Sequence, residues 1–130
     1  MAMPPVFVKV DHIYPGTKGH TLLAKVLTSK TKTVRLKTCA GRAATQRRIE
    51  CLIGDETGCI LFNSPDDYVD VLKPGNTVIL RNAKIDMSKG IMRLLLDKRG
   101  RVEVTEPASF DVKEDNNLSL VEYELVSVYE

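Results

Sequence analysis

Apolar residues along this chain recur in short alternating runs separated by turn residues, not at helical spacing. Val6 to Val10 alternates weakly and stops at the turn signal Tyr14-Pro15-Gly16. His20 to Leu36 interleaves Thr, Val and Leu with charged residues, the pattern of a long half-exposed strand, and then gives way to a small, polar stretch, Thr38 to Gln46, that reads as a mobile loop. Arg48 to Ile53 and Cys59 to Phe62 predict a hairpin around Gly54-Asp55-Glu56-Thr57-Gly58. Asp66 to Leu72 predicts a short helix ahead of Lys73-Pro74-Gly75, and Thr77 to Ile85 and Ile91 to Leu96 predict two strands around the turn Asp86-Met87-Ser88-Lys89-Gly90. Strands in this order, with turns about every 8 to 12 residues, predict an all-β fold closing into a small barrel, with one short helix between strands 3 and 4.

Alternation also assigns faces. Ile53, Ile60, Phe62, Val78, Leu80, Met92 and Leu94, with Cys51, are expected to point inward, which turns Leu52, Leu61, Ile91 and Leu95 outward. Tyr68 is expected to pack at the barrel's end. The stretch SLVEYELVSV, Ser119 to Val128, alternates again and predicts an extra strand that either covers the aliphatic face or pairs with a second copy.

A chain of 130 residues with 43% hydrophobic content has the length of one domain with one core. The expected division is a single domain over 1–130, with a barrel at about 18–104, an N-terminal strand at 5–14 and a C-terminal extension at 105–130. No run approaches the ~18 apolar residues of a membrane helix, and Met1-Ala2-Met3-Pro4-Pro5 lacks the blocks of a signal peptide, so an intracellular, nuclear or cytoplasmic, location is expected. Cys39, Cys51 and Cys59 are odd in number and form no CxxC pair; reduced thiols packed as small apolar groups are expected.

Charge is unevenly distributed. Seven basic residues lie between Lys30 and Arg48 with no acidic one (Lys30, Lys32, Arg35, Lys37, Arg42, Arg47, Arg48), whereas Glu103 to Glu130 holds eight acids against Lys113 alone. One region can attract a polyanion and the other cannot. Catalysis finds little support. The acids of the 54–58 turn have no histidine or second carboxylate to work with, since His12 and His20 lie near the N-terminal strand, and no HxxxH, GxSxG or phosphate-loop pattern occurs. Asp55 and Thr57 are expected to bond turn amides, with the glycines supplying positive φ, so that removing the two acids costs little stability. No catalytic residue, metal or cofactor is expected.

The segments VKVDHIYPGTKGHTLLAKVL, CLIGDETGCILF, LKPGNTVILRNAKI and KGIMRLLLD, with their ordered PG, D-x-TG, PG and KG landmarks, resemble the OB-fold single-stranded-DNA-binding proteins related to replication protein A. The resemblance is strongest to the B subunits of the sensor-of-single-stranded-DNA complex and closer still to small plant OB-fold proteins that share the tail KEDNNLSLVEYEL, and it spans about Pro5 to Val126. It implies a five-stranded Greek-key barrel that binds single-stranded DNA or RNA without catalysis, on strands 2 and 3 and the loops between strands 1 and 2 and strands 4 and 5. Lys37, Arg42, Arg47 and Arg48 lie in or beside the first loop, and Lys84, Lys89 and Arg93 at or near the second; these are the expected nucleic-acid contacts. The places where relatives carry stacking aromatics hold Pro65, Lys84, Ser88 and Leu95 here, and aromatics are only 5% of the chain. Binding is therefore expected to be backbone-electrostatic and weakly sequence-specific. The alternative is a protein-interaction subunit, or a homodimer, that uses the aliphatic face and C-terminal tail.

Overall fold

The computed structural model describes residues 7–37, 43–88 and 90–120. Five strands, β1 (His20–Lys37), β2 (Ala43–Asp55), β3 (Gly58–Pro65), β4 (Thr77–Ser88) and β5 (Ile91–Thr105), are hydrogen-bonded in the ring order β1-β2-β3-β5-β4, with β4 returning to β1. All pairs are antiparallel except β3 and β5, which join in parallel over only three positions, Leu61 with Arg93, Phe62 with Leu94 and Asn63 with Leu95.

The five strands expected for the barrel are all present, but their ends differ. β2 begins at Ala43 because Ala43 to Gln46 pair with Lys37 to Val34, extending the first hairpin into the stretch expected as loop. The link between β4 and β5 is shorter than expected. Ser88 pairs with Ile91, and Gly90 at φ +79° supplies the left-handed residue that so tight a reversal uses. β5 continues past Leu96 to Thr105, interrupted where Asp97 to Gly100 bulge opposite Asn82. Asn82 takes φ +54° there and its side-chain amide donates to the Lys98 carbonyl (2.6 Å), so the bulge bends the ring without ending the pairing. The expected helix after β3 is a single 3-10 turn, Asp66–Tyr68, extended by a bond from the Leu72 amide to the Tyr68 carbonyl. Among its described residues the expected N-terminal strand, 5–14, forms one parallel bridge, Phe7 with Thr21, before a 3-10 turn at Val10–His12.

The seven residues expected inside are fully buried, together with Cys51, Leu22, Ala24, Val26 and Leu72; Val10, Ile13 and Leu118 close the same cluster from outside the strands. Tyr68 packs partly buried against it. Cys51 and Cys59 are buried and unbridged, and burial raises both thiols above the ordinary range, which makes them poor nucleophiles. Cys39 lies outside the described residues.

The β2–β3 corner is built differently from a solvated turn. Asp55 is 1% exposed. Its carboxylate accepts from the Thr57 amide (2.8 Å), the Thr57 hydroxyl (2.5 Å) and the Val10 amide (3.0 Å), tying the N-terminal segment to the hairpin. Neither flanking glycine takes positive φ. They are glycines because a Cβ on Gly54 would lie 2.6 Å from Val112 Cγ1, and one on Gly58 would lie 2.8 Å from the Asn116 carbonyl oxygen. The modest cost expected for losing Asp55 is thus corrected. Asp55→Ala strands the buried Val10 amide and the part-buried Thr57 amide and should lower the unfolding free energy by about 2 to 3 kcal/mol in urea denaturation, while Glu56→Ala, which loses only an exposed contact with Lys9, should change it by less than about 0.5 kcal/mol.

The segment after β5 crosses this corner. The Cys59 amide donates to the Asn116 carbonyl (3.0 Å) and the Lys113 amide to the Asp55 carbonyl (3.0 Å). Leu118–Leu120 is a 3-10 turn, not the start of a strand; the rest of the expected C-terminal strand, 121–128, lies outside the described residues. Within that turn Ser119, 3% exposed, accepts from the Leu61 amide (2.9 Å) and donates to the Met92 carbonyl (2.6 Å). One hydroxyl thereby joins β3 to β5 just beyond their short parallel pairing. Ser119→Ala leaves both backbone groups without that partner and should cost about 1 to 3 kcal/mol, with the Leu61 amide becoming the most affected in hydrogen exchange.

Candidate nucleic-acid interface

The register determines which charges share a surface. Lys30 pairs with Glu50 and Lys32 with Arg48; Glu50 pairs with Asn63; Leu61 and Asn63 pair with Arg93 and Leu95; these in turn pair with Asp86 and Lys84. Since side chains alternate, these residues all stand on the outer face of a sheet that runs β1-β2-β3-β5-β4, with Cys51, Phe62 and Leu94 directly behind them. The outward aliphatics, Leu52, Leu61, Ile91 and Leu95, are half-buried on that same face.

A concavity of about 120 Å³ lies at its centre, lined by Lys32, Arg48, Ile49, Glu50, Asn63 and Arg93. Glu50 organises it. One oxygen, Oε2, accepts from Lys32 Nζ at 2.7 Å and from Arg93 Nη1 at 3.4 Å. Arg48 is held instead by Gln46, whose Oε1 accepts from Nε and Nη2 at 3.3 and 3.2 Å. Three cations around one carboxylate leave a net positive charge of about two in the concavity, so a polyanion is attracted to it. Among the described residues no aromatic side chain lines it.

The expected contacts are therefore divided. Arg48 and Arg93 meet in the concavity, and Lys84 stands further along the same face, 3.8 Å from Asp97. Arg47 is exposed and, by alternation, projects from the opposite face of β2. Lys37 ends β1, far along the first hairpin, and Arg42 and Lys89 lie outside the described residues. Lys32, Glu50 and Asn63 were not among the expected contacts. The same two-residue step that leads outward from Arg48 leads to Glu50, but Lys32 and Asn63 join them only through the cross-strand register, which sequence spacing does not contain. Pro65 stands at the end of β3 and Leu95 on the outer face, paired with Asn63.

Comparison with known proteins bears on the family and the fold. A family model described as single-stranded DNA binding protein Ssb-like, OB fold, matches residues 13–104. The uncharacterized protein At4g28440 of Arabidopsis thaliana is 59% identical over 95% of this chain and 85% of its own length. The solution structure of the hypothetical protein F20O9.120, also from Arabidopsis thaliana, superposes with a TM-score of 0.79 at 54% identity, covering 100% of this chain and 94% of that one. A replication protein A heterotrimer bound to single-stranded DNA shares the fold, with a TM-score of 0.63 at 17% identity over 94% of this chain and 28% of its own.

Proposed function

The chain belongs to the Ssb-like OB-fold family of single-stranded DNA binding proteins, and on that basis we propose that it binds single-stranded nucleic acid, DNA or RNA, without catalysing a reaction on it. The ring is read as the five-stranded Greek-key barrel of that fold, and the strand of nucleic acid runs across the outer face of β2, β3 and β5. The observation that carries this reading is the convergence of Lys32, Arg48 and Arg93 from three different strands on one concave surface, with Lys30 and Lys84 on the same face. Arg47, on the opposite face of β2, serves the edge of the groove.

Contact is mainly to phosphates. Stacking on aromatics adds about 1 to 3 kcal/mol per base in single-strand binders, and among the described residues no aromatic lines this concavity. Phosphate contacts do not identify bases, so affinity depends mainly on charge and only weakly on sequence. The test is a fluorescence-anisotropy titration of a labelled oligonucleotide over a range of salt concentrations. Three to five phosphate contacts give a slope of about −2 to −3.5 in log K against log salt. A salt-independent interaction, or none at low salt, would instead favour a protein-bridging role for the half-buried aliphatics Leu52, Leu61, Ile91 and Leu95.

A further inference from the structure

A carboxylate is an unexpected group at the centre of a phosphate-binding groove, because it repels phosphate. Glu50 nevertheless sits there, and its geometry is that of a reader of bases. Lys32 and Arg93 both approach Oε2, and no described residue bonds Oε1. Across the strand pair, Asn63 has no side-chain hydrogen bond to a described residue. The Nε–H of Arg93 is buried and has no hydrogen-bond partner among the described residues. The concavity thus holds a carboxylate with one oxygen that no described residue bonds, beside the guanidinium of Arg93, in a space of about 120 Å³ that admits the edge of one flat ring.

Building on the single-strand reading above, we infer that this concavity is a base subsite with a preference for guanine, read on its Watson–Crick edge. Guanine offers two adjacent donors, N1–H and the N2 amino group, to the two oxygens of the Glu50 carboxylate, and one acceptor, O6, to Arg93. The other bases fit less well. Thymine and uracil flank a single N–H with two carbonyl oxygens that the carboxylate repels. Adenine offers its amino group but turns the N1 lone pair toward Glu50. Cytosine can give its N4 amino group to Glu50 and its acceptors to Arg93, but it lacks the second donor. The preference is local to one nucleotide, and the flanking phosphates remain under the sequence-independent attraction of Lys30, Lys32, Arg48 and Lys84.

The experiment compares, by anisotropy, an oligothymidylate of about twelve residues, within the span of an OB-fold site, with the same strand carrying one guanine, cytosine, adenine or hypoxanthine in its middle. The guanine strand should bind about tenfold more tightly than oligothymidylate, as a bidentate base contact gives. The hypoxanthine strand, which lacks only the N2 amino group, should fall between them. In Glu50→Gln the guanine-to-thymine ratio should drop to about one, while oligothymidylate affinity rises because a negative charge has left the groove. A cytosine preference, equal affinity for all strands, hypoxanthine binding as tightly as guanine, or a guanine preference that survives Glu50→Gln would each overturn the assignment. The hypoxanthine comparison uses the unaltered protein and so stands whether or not the variant folds. If oligothymidylate binds with the expected salt slope and no base is preferred, the guanine subsite fails alone; if no strand binds, the single-strand reading fails with it.

Discussion

Replacing Phe62 by alanine is expected to destabilise the fold by about 3 to 5 kcal/mol, the usual cost of removing a large buried aromatic. Phe62 is fully buried, and it sits where the ring is weakest. It is the middle residue of the three that pair β3 with β5, lying between Cys51 on β2 and Leu94 on β5. Its removal opens a cavity behind the outer face that carries Glu50 and Asn63. Chemical denaturation should show the midpoint falling with little change in slope. A variant with unchanged stability but lost oligonucleotide binding would mean that the ring faces outward and stacks on bases, which would invert the faces assigned to β3.

The triple variant Lys30→Ala, Lys32→Ala and Arg48→Ala is expected to produce the largest change in binding. If each cation neutralises one phosphate, the loss of three flattens the salt slope by about 2, which amounts to a few hundred-fold in affinity at ~50 mM salt and shrinks toward parity near ~1 M. Stability should change little, because Lys30 and Lys32 are exposed, Arg48 bonds only Gln46 among the described residues, and surface charge contacts contribute at most about 1 kcal/mol. Arg47 provides the internal comparison. Projecting from the other face of β2, it should shift the slope by less than Arg48 does when each is changed alone to alanine. Equal effects would mean that the nucleic acid wraps the first hairpin and does not lie on one of its faces.

The sequence was informative wherever a physical rule acts between near neighbours. Alternation identified the inward set from Ile53 to Leu94, since a strand residue's face depends only on the parity of its position. It also placed Phe62 inside and Leu61 and Leu95 outside. The charge asymmetry and the scarcity of aromatics were equally legible, because they are counts. Boundaries were less so. Ala43 to Gln46 are small and polar and resemble a loop, yet they are strand because Val34 to Lys37 lie opposite to pair with them. The turn at 86–90 contracted for a similar reason, with Gly90 allowing a reversal tight enough for Ser88 to meet Ile91.

Asp55, Gly54 and Gly58 mark where local reasoning ends. Their types suit a surface turn, and only the approach of the N-terminal segment and of residues 112–116 turns a polar corner into a buried junction. The candidate site divides in the same way. The sequence by itself determined the succession of strands along the chain, the inward set from Cys51 to Leu94, the concentration of positive charge near the first hairpin, and the two-residue step that makes Arg48 and Glu50 share a face. The tertiary structure alone decided that Lys32, Asn63 and Arg93 join them and that Arg47 does not, that Glu50 holds two of those cations, and that Ser119 joins β3 to β5. These are matters of register and chain crossing between residues far apart in the chain, such as Leu61 and Ser119, 58 positions apart. Alternation governs neighbours along one strand, but the register between strands is a property of the whole ring, set by how every inward residue packs at once.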